Sequence, residues 1–167
     1  MKVLVSAASR HGSTDEVARA IAEVLTESGI SAVVAAPETI TSLNGFDAAV
    51  IGSAVYYGKW LDPATKFVDR HHAEFVGRPI WLFSSGPIGD PPKPDGDPTD
   101  LPTLLEKTGA RDHRIFSGRL DKHRLNLGER IIVRGVHAAE GDFRHWDEIR
   151  AWARGIAEAL TPVAAGR

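Results

Sequence analysis

The sequence contains no cysteine. Disulfides, thiolate catalysis and iron–sulfur ligation are closed to the isolated chain, so any redox chemistry has to come from a bound organic cofactor or a metal. Nor is there a surplus of either charge: 20 Lys and Arg against 22 Asp and Glu leave a formal net charge of −2. A dedicated nucleic-acid binder would carry a strong basic excess, and that class is set aside. Long apolar runs are missing too. The longest, around Ala48 to Val55, is core-strand length and far below the ~20 residues of a membrane-spanning helix. The opening Met1-Lys2-Val3-Leu4-Val5 enters a strand pattern at once, without the apolar stretch and small-residue cleavage site of a signal peptide. The expectation is a cytoplasmic protein, with contact at a membrane surface left open.

What remains is ordinary globular composition, 43% apolar and 25% charged over 167 residues. That is enough chain for one domain with a real core, and too apolar for general disorder. The reading is a domain over residues 1–160 with a frayed tail over 161–167, and there is no internal repeat.

Hydrophobic periodicity alternates between two kinds of segment. Lys2 to Ser6 reads as a buried strand, since Val3, Leu4 and Val5 run without a polar break. An amphipathic helix follows, with Val17, Ile21, Val24 and Leu25 at helical spacing. Ser13 and Glu16 have the spacing of a capping box, and Gly29 sits where a helix stop belongs. Ser31 to Ala35 and Asp47 to Ser53 read as strands. Asp62-Pro63 opens a helix to about His72, with Asp as N-cap and Pro at the first helical position. Pro79 to Ser84 and His113 to Phe116 complete the strands, and Trp146 to Leu160 is a closing helix. Strands alternating with helices predict an α/β three-layer sandwich: a five-stranded parallel sheet of order 2-1-3-4-5 with helices on both faces. Two segments break the pattern: a loop rich in Pro, Asp and Gly from Gly86 to Pro102, and a mixed basic and apolar stretch from Asp121 to Gly141.

In an open parallel sheet, ligands bind beyond the carboxyl ends of the strands near the point where strand order reverses. Three loops should meet there. The first, Ser9-Arg10-His11-Gly12-Ser13-Thr14, joins a strand to a helix N-terminus, whose free N–H groups and positive dipole end favour an anion. Hydroxyls from Ser9, Ser13 and Thr14, close approach at Gly12, and charge from Arg10 or His11 make this a phosphate loop that needs no metal. It lacks the Gly-Lys-Ser/Thr ending of a nucleoside triphosphatase loop, and the glycine fingerprint of dinucleotide binding is absent. The second loop runs Ala54-Val55-Tyr56-Tyr57-Gly58-Lys59-Trp60. A flat ring needs flat walls, which the Tyr56-Tyr57-Gly58 group supplies, while Trp60 reads as a cap on the core. The third, Ser85-Gly86-Pro87-Ile88-Gly89, offers backbone amides to the polar edge of a ring.

Other constellations carry less. Adjacent His71 and His72 point about 100° apart on a helix, so with Glu74 they suit a solvated helix end better than a metal site. A phospho-receiver domain would want acidic residues after the first strand, where this chain has Ser6-Ala7-Ala8-Ser9. Arg130 and Arg134, if helical, read as a solvated face. No side chain stands out as a catalytic acid or base.

In order and spacing the three loops resemble those of flavodoxins. More narrowly, the chain resembles the flavodoxin-domain family that includes menaquinone-dependent protoporphyrinogen oxidase. That match rests on Ile51-Gly52-Ser53-Ala54-Val55-Tyr56-Tyr57-Gly58, on Phe116-Ser117-Gly118-Arg119-Leu120, and on Asp142-Phe143-Arg144-His145-Trp146-Asp147 opening the last helix. The resemblance implies a flavodoxin-like fold with FMN as cofactor. Ser9 to Thr14 would grip its phosphate, and Ala54 to Gly58 with Ser85 to Gly89 would flank its ring. It further implies an oxidoreductase passing electrons from a reduced substrate, a porphyrinogen in that family, to a quinone or other acceptor. In that family the stretch before the last helix is associated with membrane and quinone contact, so the resemblance leaves open peripheral contact of a cytoplasmic protein with the inner face of the membrane. Here the corresponding Asp121–Gly141 stretch is less aromatic and only moderately apolar, and the prolines from Pro91 to Pro102 are a further departure. Two other readings stand beside the enzyme: an electron-transfer flavodoxin without its own substrate, which the weak net charge disfavours, and a binding module that has lost FMN.

Overall fold

A computed structural model describes residues 1–86, 96–120, 125, 127–129, 131 and 141–161. The elements are β1 (Lys2–Ala8), α1 (Ser13–Glu27), β2 (Ser31–Ala35), β3 (Ala48–Tyr56), β4 (Lys59–Trp60), α2 (Asp62–His71), β5 (Ile80–Ser85), α3 (Leu101–Thr108), β6 (Asp112–Phe116), β7 (Arg119–Leu120), β8 (Gly141–Asp142) and α4 (Trp146–Leu160). The main sheet has the order β2-β1-β3-β5-β6, all parallel, which is the expected five-strand arrangement. The short β4 folds back antiparallel on β3, and β7 pairs antiparallel with β8.

Strand alternation divides the core into two layers. Val3, Val5, Val50, Trp81 and Phe83 face one side, where α1 and α4 cover them with Ile21, Leu25, Ile149 and Ile156. Leu4, Ala49, Ile51, Ile80 and Leu82 face the other, beneath Phe67 and Val68 of α2 and Leu101 and Leu104 of α3. In the centre, Gly52 of β3 pairs in register with Phe83. A Cβ at Gly52 would lie 2.2 Å from the Phe83 ring, so this position has to be glycine.

Several local expectations are corrected. Helix α1 has Gly12 at its N-cap, in the left-handed region at φ 84°, and no side chain caps it. The Ser13–Glu16 capping box is therefore absent, because Arg144 claims the Glu16 carboxylate at 2.7 Å. Leu61, not Asp62, is the N-cap of α2; its N–H donates to Ser53 Oγ, while Asp62 pairs with Lys66 one turn on. His71 does not sit at a solvated helix end. It is buried, with Nδ1 2.6 Å from Glu74 Oε1 and Nε2 3.3 Å from the Ile40 carbonyl. That hydrogen bond is the main reason the Glu74 carboxyl is held below its ordinary pKa. Leu101 and Pro102 belong to α3 rather than to a loop, and the helix buries Leu101, Leu104 and Thr108. Arg130 and Arg134 and the tail from Pro162 lie outside the described residues.

Candidate functional site

The strand order reverses between β1 and β3, so the crevice lies beyond Ala8 and Tyr56. The phosphate loop leaves β1 there. Its turn is held from within, since the Gly12 N–H donates to Ser9 Oγ at 2.9 Å. Thr14 is buried at the start of α1. Ser13 Oγ is buried and has no hydrogen-bond partner among the described residues. A buried hydroxyl without a partner costs on the order of 1–3 kcal/mol. It lies on the first turn of a helix that has no side-chain cap, where free N–H groups and the positive dipole end favour an anion.

The second loop is tighter than the sequence suggests. β3 runs on through Tyr56, and a two-residue turn returns the chain, pairing Tyr56 with Lys59 and Val55 with Trp60. Tyr57 and Gly58 both have positive φ, 51° and 72°, as a type I′ hairpin requires. For glycine this is free, but for a tyrosine it is strained. The structure nevertheless holds Tyr57 there, 79% exposed beyond the strand ends. The turn is tied down from the far loop: Thr99 N–H donates to the Gly58 carbonyl at 2.8 Å, and Asp100 accepts the Trp60 N–H at 3.1 Å. Trp60 is buried in the core, as expected, and its indole N–H donates to Ser84 Oγ. Ser84 Oγ in turn lies 2.8 Å from His113 Nε2. Burial of His113 holds its pKa below the usual value, against the raising influence of Asp97 and Asp112.

Ala54 is buried, and Val55 and Tyr56 are half-buried. The two tyrosines differ in availability: the Arg10 guanidinium lies 5.0 Å over the Tyr56 ring, whereas Tyr57 stands clear. Burial and then the Glu129 carboxylate push the Tyr56 hydroxyl pKa up, with Arg10 opposing. From the third loop, Ser85 is buried at the end of β5. Gly86 is pressed against β3, where a Cβ would meet the Val55 carbonyl at 3.1 Å. Pro87, Ile88 and Gly89 lie outside the described residues.

Other contributors were not read from the sequence as site residues. Gly118 abuts the Gly86 backbone, at 3.1 Å from a would-be Cβ. Arg144 is only 3% exposed along its side chain. It grips both oxygens of Asp142 (2.8 and 2.6 Å), reaches the Ser13 carbonyl at 3.3 Å, and lies 4.5 Å over the Trp146 ring. That grip is the main cause of the lowered Asp142 pKa. Glu129 meets Arg10 at 2.9 Å and His11 at 3.3 Å. The segments around Phe116–Leu120 and Asp142–Asp147 thus converge on the first turn of α1. The sequence signal for Arg144 is its place in the Asp142–Asp147 motif, which gives it no site role, and Glu129 has none.

A family model described as a flavodoxin domain matches residues 4–146. The chain belongs to the flavodoxin-domain family. FMN is the cofactor of that family and of its flavodoxin neighbours. Among curated proteins, the protoporphyrinogen IX dehydrogenase (quinone) of Escherichia coli K12 is 25% identical over 94% of this chain and 95% of its own length. An archaeal flavodoxin superimposes with a TM-score of 0.67 at 20% identity, covering 95% of this chain and 98% of that one. Oxidised flavodoxin 1 from Bacillus cereus gives 0.65 at 16% identity, over 96% and 100%. These two likenesses concern the fold. Among the described residues, no helix is long and apolar enough to cross a membrane.

Proposed function

We propose that this flavodoxin-domain protein is an FMN-dependent oxidoreductase that takes electrons from a reduced substrate of the porphyrinogen class and delivers them to a quinone or another acceptor. The observation that carries the cofactor site is the buried Ser13 hydroxyl, without a hydrogen-bond partner among the described residues, on a helix turn with no side-chain cap.

In this reading Ser9 to Thr14 receive the FMN phosphate, with Ser13 Oγ and the first N–H groups of α1 as donors. Tyr57 and the backbone of Ala54 to Gly58 form one wall of the ring site, and Ser85, Gly86 and the loop that continues through Gly89 form the other. Glycine at positions 86 and 118 lets the Gly86 backbone lie close against Val55 of β3 and against Gly118. Bound there, FMN supplies reversible uptake of an electron pair. The protein's part is to bind, orient and exclude competing reactions; no side chain is assigned as acid or base. Overall, each pair of hydrogens leaving the substrate converts one quinone to its quinol.

The substrate class rests on similarity along nearly the whole chain to a protein named for that reaction. An apolar acceptor suits the exposed side chains beyond the strand ends: Tyr57, and Leu127 and Ile131 on either side of Glu129, which itself touches the phosphate loop. The test begins with the absorption spectrum of the purified protein and a fluorescence titration with FMN, followed by oxidation of protoporphyrinogen with menaquinone as acceptor. Quenched bound flavin with quinone-dependent turnover is the expected result. Bound flavin without turnover would point to an electron-transfer protein, and a folded protein that fails to bind FMN would sink the reading.

A further inference from the structure

The phosphate loop has two basic side chains, Arg10 and His11, and both are engaged by one carboxylate from a distant part of the chain. Glu129 Oε1 lies 2.9 Å from Arg10 Nη1, and Glu129 Oε2 lies 3.3 Å from His11 Nε2. The carboxylate is not a surface group in passing contact: its side chain is 11% exposed, against 49% for that of Arg10. Arg10 is also held from below, stacked over the half-buried Tyr56 ring. The loop's positive charge is therefore offset, while its neutral donors, the Ser13 hydroxyl and the uncapped first turn of α1, are left to the ligand.

We infer that Glu129 is a specificity-determining residue of the phosphate loop: by holding Arg10 and His11 it sets how strongly the site prefers a flavin bearing a phosphate dianion over one without it. The inference rests on the FMN reading above. An uncompensated Arg10 beside the loop would attract small phosphates at large through charge alone. With Glu129 in place, recognition shifts to donors whose geometry a bound phosphate has to satisfy. The carboxylate also repels the incoming dianion, so phosphate binding is weaker than the loop could give. At the edge of solvent, a charge of this kind changes affinity by about three- to tenfold.

The experiment is a fluorescence titration of the flavin-free protein with FMN and, separately, with riboflavin, which has no phosphate. The Glu129→Gln variant is expected to bind FMN about three- to tenfold more tightly than the unaltered protein, with riboflavin unchanged. Arg10→Gln is expected to lower the preference for FMN over riboflavin. The double variant removes the Arg10 and Glu129 charges together, and it should return that preference to near its original value. FMN affinity that is unmoved or weakened in Glu129→Gln would overturn the inference. So would loss of both flavins together, the mark of a structural strut. A double variant no better than Arg10→Gln refutes it even if the Glu129→Gln protein does not fold. Equal binding of FMN and riboflavin by the unaltered protein is a different failure, that of the phosphate-loop reading itself.

Discussion

Tyr57 places stability and function in opposition. It occupies a left-handed turn position at φ 51° that an L residue with a Cβ reaches at a cost of about 1–2 kcal/mol. Tyr57→Gly removes that cost but makes the unfolded chain more flexible by about 0.5–1 kcal/mol. The net expectation is a flavin-free protein more stable by roughly 0.5–1 kcal/mol, a rise in Tm of about 1–4 °C for a chain of this size. The ring is 79% exposed, so little packing is lost with it. In the proposed ring site the same change removes an aromatic wall, worth about 1 kcal/mol in ring–ring contact, and should weaken FMN about fivefold. Tyr57→Ala separates the two effects, because it deletes the ring and keeps the Cβ: FMN should weaken equally while Tm stays put. Tyr57→Asn should resemble glycine in stability, since asparagine tolerates this conformation. Thermal unfolding followed by circular dichroism, with FMN titrations on each variant, reads both quantities. A Tm for Tyr57→Gly at or below that of Tyr57→Ala would refute the strain argument; unchanged FMN affinity in both would move the ring wall elsewhere.

Three other expectations come from the same geometry. Ser13→Glu sets a negative charge in the proposed phosphate site, so the purified protein should lose its flavin absorbance while keeping its far-ultraviolet spectrum; full occupancy would refute the phosphate assignment to α1. Gly52→Ala drives a methyl to 2.2 Å from a Phe83 ring that Phe116 and Trp152 hem in at 6.2 Å, and denaturant unfolding should show a loss of about 1–3 kcal/mol or more. His113 has a pKa lowered by burial, so the unfolded chain binds its proton more readily than the folded one. Its stabilising contribution is complete above the unfolded value of 6.5 and is lost as pH falls from there toward the folded value. The decline in Tm from about pH 7 to about 5 should be shallower in His113→Gln, and an unchanged slope would show that His113 does not titrate differently on folding.

The sequence alone determined the layered architecture. Buried parallel strands need unbroken apolar runs, and the helices that cover them need a 3.6-residue stripe, so both are written locally in segments such as Val3-Leu4-Val5 and Val17 to Leu25. The alternation fits the order 2-1-3-4-5 without dictating it, and the position of the crevice follows from that order. The residues nominated around it lie on loops leaving adjacent strands, so Ser9 to Thr14, Ala54 to Gly58 and Ser85-Gly86 come together for topological reasons. The capping box at Ser13 and Glu16 failed because a local pattern cannot show that an arginine far along the chain will claim the carboxylate. Only the tertiary structure decided which aromatic stays free, since Arg10 covers Tyr56 and the turn geometry sends Tyr57 outward. It also decided that Thr99 and Asp100 fasten the hairpin, that Arg144 clamps the first turn of α1, and that Glu129 engages Arg10 and His11 of the first loop. Ion pairs and side-chain clamps between distant segments have no periodicity to betray them. Hydrophobic pattern is a property of neighbours along the chain, and charge pairing is a property of neighbours in space.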